Sequence, residues 1–230
     1  MDRTWGRRET SDAVSGEGWR YLLGALRASV RVGSLAEGIR AAADAAAVCG
    51  EDADGHLRVD VRAERVVLTV QTFARGVLTA RDVTLALAVS GALREAGWTT
   101  VPEVGTGAAR SVQQLEIAID ALDIGAVRPF WRAVLGYVGE AGAEGPEDPL
   151  VDPVGEGPAM WFQQMDAPRP QRNRFHIDVC VPHDEAAGRI DAALAAGGRL
   201  LSAARAPAFW VLADAEGNEA CVTTWQGRGD

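Results

Sequence analysis

The sequence predicts an α+β fold in two domains, and three observations carry that reading. Helix, hairpin and helix patterns fill the stretch up to Gly97; a Thr/Gly/Pro-rich segment follows at 99–111; beyond it one strand–helix–strands pattern occurs twice. The expected organisation is a flexible N-terminus at 1–16, a first domain at 17–98, a linker at 99–111 and a second domain at 112–228.

In the first domain, Ser34-Leu35-Ala36-Glu37 reads as a capping box, in which serine and glutamate satisfy otherwise orphaned backbone N–H groups. The Ala-rich run behind it predicts a helix to about Val48, stopped near Gly50. Strands are expected at 56–62 and 65–73. In the second, Val66, Leu68 and Val70 alternate with Val67, Thr69 and Gln71, so one face buries and the other does not. Thr79-Ala80-Arg81-Asp82 caps another helix through Leu93, ended by Gly97.

The second domain repeats itself. One copy reads strand 115–120, helix 124–135 and strands ending in 159–165; the other reads strand 174–181, helix 184–196 and strands 209–213 and 219–225. In this reading Glu116 and His176 are repeat mates, as are Gln163 and Cys221. In the strand 174–181, Phe175, Ile177, Val179 and Val181 are expected to face one way, and His176, Asp178 and Cys180 the other. The polar faces also carry Trp161 and Met165. Large apolar groups beside a few polar ones suit a ligand cavity better than a wetted surface.

Composition excludes several classes of function. A net charge of -9 argues against nucleic acid or an anionic membrane as partner. All 23 basic residues are arginine, which removes lysine Schiff-base chemistry and a P-loop lysine. The three cysteines, Cys49, Cys180 and Cys221, are too scattered for a disulfide framework or a Cys-rich zinc site. The polar N-terminus lacks the apolar core of a signal peptide, and no apolar run approaches a membrane span. A reducing cytoplasm is the expected compartment.

The second domain, over about 112–226, resembles the glyoxalase-like branch of the vicinal-oxygen-chelate superfamily. The resemblance rests on Glu116-Ile117-Ala118-Ile119-Asp120, Pro129-Phe130-Trp131, Val134-Leu135-Gly136-Tyr137, Trp161-Phe162-Gln163-Gln164, Asn173-Arg174-Phe175-His176-Ile177-Asp178, and Asp214-Ala215-Glu216-Gly217-Asn218. It implies two βαβββ modules whose sheets form an open barrel, with ligand positions on the first and last strands of each module. Carried over by position these are Glu116, Gln163, His176 and Cys221. The resemblance also implies a small-molecule substrate, and both parent folds commonly pair, so a homodimer is one expectation.

The first domain, over about 17–97, resembles pterin-4a-carbinolamine dehydratase through Trp19, the 28–33 strand, and Gly76, Leu78, Thr79, Asp82, Leu85 and Ala86. The histidines that carry dehydratase chemistry are absent. The first region reads Gly50-Glu51-Asp52-Ala53-Asp54 and the second Val70-Gln71-Thr72. A structural or dimerising role is expected instead, with Glu51, Asp52 and Gln71 as the groups left for a polar ligand.

Glu116, His176 and Cys221 are therefore the candidate catalytic and metal-ligating groups. Carboxylate oxygen, imidazole nitrogen and thiolate sulfur suit Zn²⁺, Fe²⁺, Ni²⁺ or Mn²⁺ with positions open for substrate. A metal-free alternative uses Glu116 or His176 as general base, with Asp178 orienting the imidazole, or a His176–Cys221 pair that activates a thiolate. Gln163, Trp161, Asp178, Arg174, Trp210 and Trp225 are candidate substrate contacts; Arg172 and Arg174 are placed to meet a carboxylate or phosphate. An enzyme acting on a small organic molecule is the first functional expectation, and a protein that sequesters an aromatic drug or metabolite is the rival. His56 and His183 are expected to do nothing chemical, and Gly217-Asn218 to form a tight turn.

Overall fold

The computed structural model describes residues 6–104, 110–143, 145–168, 171 and 175–227. The chain divides into two compact units, 1–114 and 115–230. No helix among the described residues is long and apolar enough to cross a membrane.

The first unit contains helices α1 (Arg7–Val14), α2 (Leu35–Cys49), α3 (Ala53–His56) and α4 (Ala80–Glu95). Its strands are β1 (Arg20–Leu22), β2 (Ala25–Arg31), β3 (Leu57–Val61), β4 (Arg65–Val70), β5 (Thr100–Val101), β6 (Glu103–Val104) and β7 (Arg110–Ser111). The antiparallel sheet runs β1-β2-β4-β3, with β5 on β2. Ser34 accepts from the Glu37 N–H, while the Glu37 carboxylate accepts from Gly33, one residue before the expected partner. The α4 capping box is complete, with Thr79 and Asp82 bonding reciprocally. Val66, Leu68 and Val70 lie in the core with Trp19, Leu26, Ala41, Ala45, Val89 and Leu93, as the alternation and the helix periods require.

Three local readings need correction. The segment expected to fray forms α1, whose Thr10 and Val14 are buried. The stretch 99–111 is not bare linker: Thr100 and Val101 add a strand to the first unit's sheet, and β6 pairs with β7. His56 ends a helical turn rather than starting a strand, and its Nδ1 lies 2.7 Å from the fully buried Asp82 carboxylate.

The second unit is a βαβββ pattern used twice. The first copy comprises β8 (Glu116–Ala121), α5 (Ile124–Leu135), β9 (Val138–Gly139), β10 (Leu150–Val151) and β11 (Ala159–Gln164). The second comprises β12 (Ile177–Cys180), α6 (Ala186–Ala195), β13 (Arg199–Arg205), β14 (Phe209–Ala213) and β15 (Glu219–Thr223). Each copy makes its own four-stranded sheet, in the orders β8-β11-β10-β9 and β12-β15-β14-β13. First and last strands pair in parallel and the rest antiparallel. One apolar core joins the copies, with Phe130, Trp131, Leu150, Met160, Leu212 and Val222 among its buried members. Phe130 and Trp131 meet edge to face at 5.3 Å. Gly198 allows close packing here, because a Cβ on it would sit 2.4 Å from the Phe130 ring.

The 214–218 segment does more than turn the chain. Asp214 is fully buried and accepts from the indole Nε1–H of Trp131 at 3.0 Å, from the backbone N–H groups of Glu216 and Asn218, and from the Asn218 amide. The Glu216 carboxylate accepts from the N–H groups of Leu122 and Asp123, just before α5. The turn of the second copy thus clamps the helix of the first.

Candidate functional site

Three candidate residues converge on the second sheet. His176 stands one residue before β12, Asp178 lies within that strand, and Cys221 is the register partner of Asp178 on the parallel strand β15. In a strand, residues two apart share a face, so His176 and Asp178 project together, beside Cys221. The His176 Nδ1 lies 2.9 Å from Asp178 Oδ1 and 3.8 Å from the Cys221 sulfur. Their ligand atoms all fall within 4.8 Å of one another. Cys221 is buried, whereas His176 and Asp178 are each 56% exposed along the side chain.

These groups line an open cavity of about 710 Å³ together with Arg205, Ala208, Phe209, Thr223 and Gly227. The cross-strand rows explain the lining. Ser202, Val211, Cys221 and Asp178 form one row, and Arg205, Phe209, Thr223 and Cys180 the next on the same face.

Other candidates go elsewhere. Glu116 belongs to the other sheet and is not part of the His176/Asp178/Cys221 cluster. The two repeat matings, Glu116 with His176 and Gln163 with Cys221, also exclude each other. In both parallel pairs the partner stands 43 positions on (Asp120 with Gln163, Asp178 with Cys221), so one offset must serve both strands of a copy, and if Gln163 corresponds to Cys221 then His176 corresponds to Ala118. Gln163 and Trp161 are exposed on β11 of that other sheet, Gln163 donating to the Gln164 carbonyl. Trp210 packs against the core rather than lining the cavity, because Phe209 takes the cavity face and adjacent strand residues face oppositely. Trp225 lies beyond β15, exposed, donating to His183 Nδ1 at 3.3 Å with the two rings edge to face. Phe175 is exposed rather than packed, since the strand begins only at Ile177. Arg172, Asn173 and Arg174 lie outside the described residues.

Residues 116–223 match the family model of the glyoxalase-like domain. The match spans a little under half of the chain and takes in all three clustered side chains. No curated protein matches. Solved structures similar to the chain include a glyoxalase/bleomycin resistance protein/dioxygenase family enzyme from Burkholderia phytofirmans PsJN, at 20% identity, 47% coverage of this chain, 95% of that chain and TM-score 0.39. A glyoxalase-related enzyme from Fulvimarina pelagi gives 20%, 49%, 88% and 0.39 for the same quantities. For a transcriptional coactivator/pterin dehydratase from Brucella melitensis they are 20%, 39%, 98% and 0.35.

Arg205, Phe209 and Thr223 were not among the sequence candidates. Phe209 and Thr223 could have been found by carrying the Cys221 face across the hairpin, from Cys221 to Val211 and then two residues along each strand. Arg205 could not, because irregularities in the β13–β14 pairing shift its register.

Glu116 has a different neighbour. Burial first, then the charges of Glu116 and Asp148, raise the pKa of Glu140 above the ordinary carboxylate value. A raised folded-state pKa means that the fold favours the protonated acid, so stability falls as pH rises from the ordinary value through the raised one. Glu140→Gln should therefore raise the melting temperature near neutral pH and change it little below about pH 4, where the carboxyl is protonated in both states. Thermal melts at the two pH values check this; an equal gain at both would exclude the charge as the cause.

Proposed function

We propose that the glyoxalase-like domain is an enzyme that acts on a small organic molecule held in the cavity beside His176, Asp178 and Cys221. One observation carries the reading: a nitrogen, an oxygen and a sulfur donor converge within 4.8 Å at the wall of a cavity large enough for such a molecule. With the Nδ1–H of His176 donated to Asp178, Nε2 is the basic ring atom and can take a proton from a bound substrate. In that tautomer the Nδ1–H also faces the Cys221 sulfur at 3.8 Å, where it can support a thiolate.

The donor set also fits a divalent metal, with hard, borderline and soft donors from three side chains and an open side toward the cavity. When bound, such an ion would polarise a substrate oxygen. His176, Asp178 and Cys221 would hold it. Glu116 lies outside this set, in contrast to the sequence expectation.

Calorimetric titration of the chelator-treated protein with Zn²⁺, Co²⁺ or Ni²⁺ tests the metal-assisted form. One equivalent should bind, and affinity should fall at least about tenfold in His176→Ala or Cys221→Ser, as for losing a metal ligand or its support. Glu116→Gln should bind as the parent does. Equal binding by all of these proteins would rule the cluster out as the metal site. The rival reading, sequestration of an aromatic ligand, gains support if aromatic compounds bind tightly and His176→Ala leaves them unchanged.

For the first unit we propose a scaffolding role and no dehydratase chemistry. Two of the three polar groups left in the expected positions are engaged: Asp52 pairs with Arg81, and Gln71 donates to the Gly24 carbonyl at 3.0 Å. Detectable turnover of a carbinolamine pterin by the intact protein would overturn that reading.

A further inference from the structure

From the cavity lining we infer that the substrate is an organic anion, a carboxylate or phosphonate on an apolar body, and that Arg205 is the residue that selects it. The inference rests on the proposed use of the cavity and goes on to name the class of molecule that enters it. Among the described residues lining the cavity Arg205 is the single full-time cation, since the imidazole of His176 already faces the Asp178 carboxylate at 2.9 Å. Its guanidinium has no hydrogen-bond or ion-pair partner among the described residues, so its five donors remain available for a ligand.

Position supports the assignment. Arg205 is the register partner of Phe209 across the β13–β14 pair, and Phe209 is the partner of Thr223 on β15. Cys221 lies two residues from Thr223 on the same face. Two strand spacings, about 10 Å, therefore separate Arg205 from the strand bearing the thiol, with an aromatic wall between them. A molecule anchored by its anionic end at Arg205 would lay its apolar body along Phe209 and bring its far end to the His176/Asp178/Cys221 cluster. The fork of an arginine matches the paired oxygens of a carboxylate or phosphonate. The chain carries a net charge of -9, so its general field repels anions and a local cation is what can make the site accept one.

Binding of benzoate, phenylphosphonate and neutral benzamide, measured by calorimetry on the full chain, tests the inference. At least one anion should bind ten times or more tightly than benzamide, and Arg205→Gln should abolish that preference while leaving benzamide binding unchanged. Phe209→Ala should weaken all three, and circular dichroism of each variant confirms its folding. Equal binding of anions and benzamide, or an anion preference that survives Arg205→Gln, overturns the role of Arg205 and leaves the cavity as a binding site. Binding of none of the three to the parent protein overturns both.

Discussion

Replacing Asp214 by alanine should lower the stability of the second unit by about 3 kcal/mol and its melting temperature by about 10 °C. The side chain is fully buried and accepts four hydrogen bonds, from Trp131 Nε1, the Glu216 and Asn218 backbones and the Asn218 amide. Truncation leaves those donors without an acceptor, and an unsatisfied buried donor costs about 1–3 kcal/mol. Trp131→Phe removes one donor and keeps most of the packing, so its effect should be smaller, about 1 kcal/mol. Thermal and urea melts of the three proteins make the comparison. A melting temperature for Asp214→Ala within about 2 °C of the parent would show that the clamp does not hold the two copies together.

The second large effect is expected in the first unit at Asp82. This carboxylate has no exposed surface; one oxygen accepts from the Thr79 N–H, the Thr79 hydroxyl and the Thr72 hydroxyl, and the other faces His56 Nδ1 at 2.7 Å. It ties the start of α4 to the segment after β4 and to the end of α3. Asp82→Ala should cost about 3 kcal/mol, combining a lost helix cap with stranded buried hydroxyls. His56→Ala should cost less, about 1 kcal/mol, and the double variant should lose less than the sum because the two share an interaction. Additive losses would show that His56 does not act through Asp82. Dehydratase-like chemistry is not needed to explain this histidine, since bracing Asp82 accounts for its placement.

Parts of both units were legible in the chain before any coordinates. Capping residues at Ser34 and Thr79, glycines past the helix ends, and alternation at Val66, Leu68 and Val70 are local signals that act within a few residues, and the structure follows them. His176, Asp178 and Cys221 were legible for a similar reason. Two share a strand face by spacing, and a lone cysteine on a neighbouring strand could be matched to them through the repeat. Repeat alignment gave two offsets that cannot both hold. Offsets of 58 and 60 residues are both even, so both preserve the alternation of faces, and no strand pattern can choose between them. The hydrogen-bonded register adds only that one offset must serve both strands of a copy, so the Glu116–His176 and Gln163–Cys221 matings exclude each other.

The tryptophans show the same limit at a single-residue scale. Trp210 and Phe209 are adjacent, so the face each takes depends on how the 214–218 turn sets β14 against β15. The pairing of Ala213 with Glu219 puts Phe209 on the cavity side and Trp210 on the core. Arg205 reaches the cavity through a strand pairing broken by register shifts, a non-local arrangement with no pattern in the chain to announce it. Composition, caps and periodicity are properties of neighbouring residues, and they set the α+β elements, the doubled strand–helix pattern and the face on which His176 and Asp178 lie. Which sheet each strand joins, which acids stand beside the histidine and which cation lines the cavity are set by pairing between distant segments. The folded chain alone decides those.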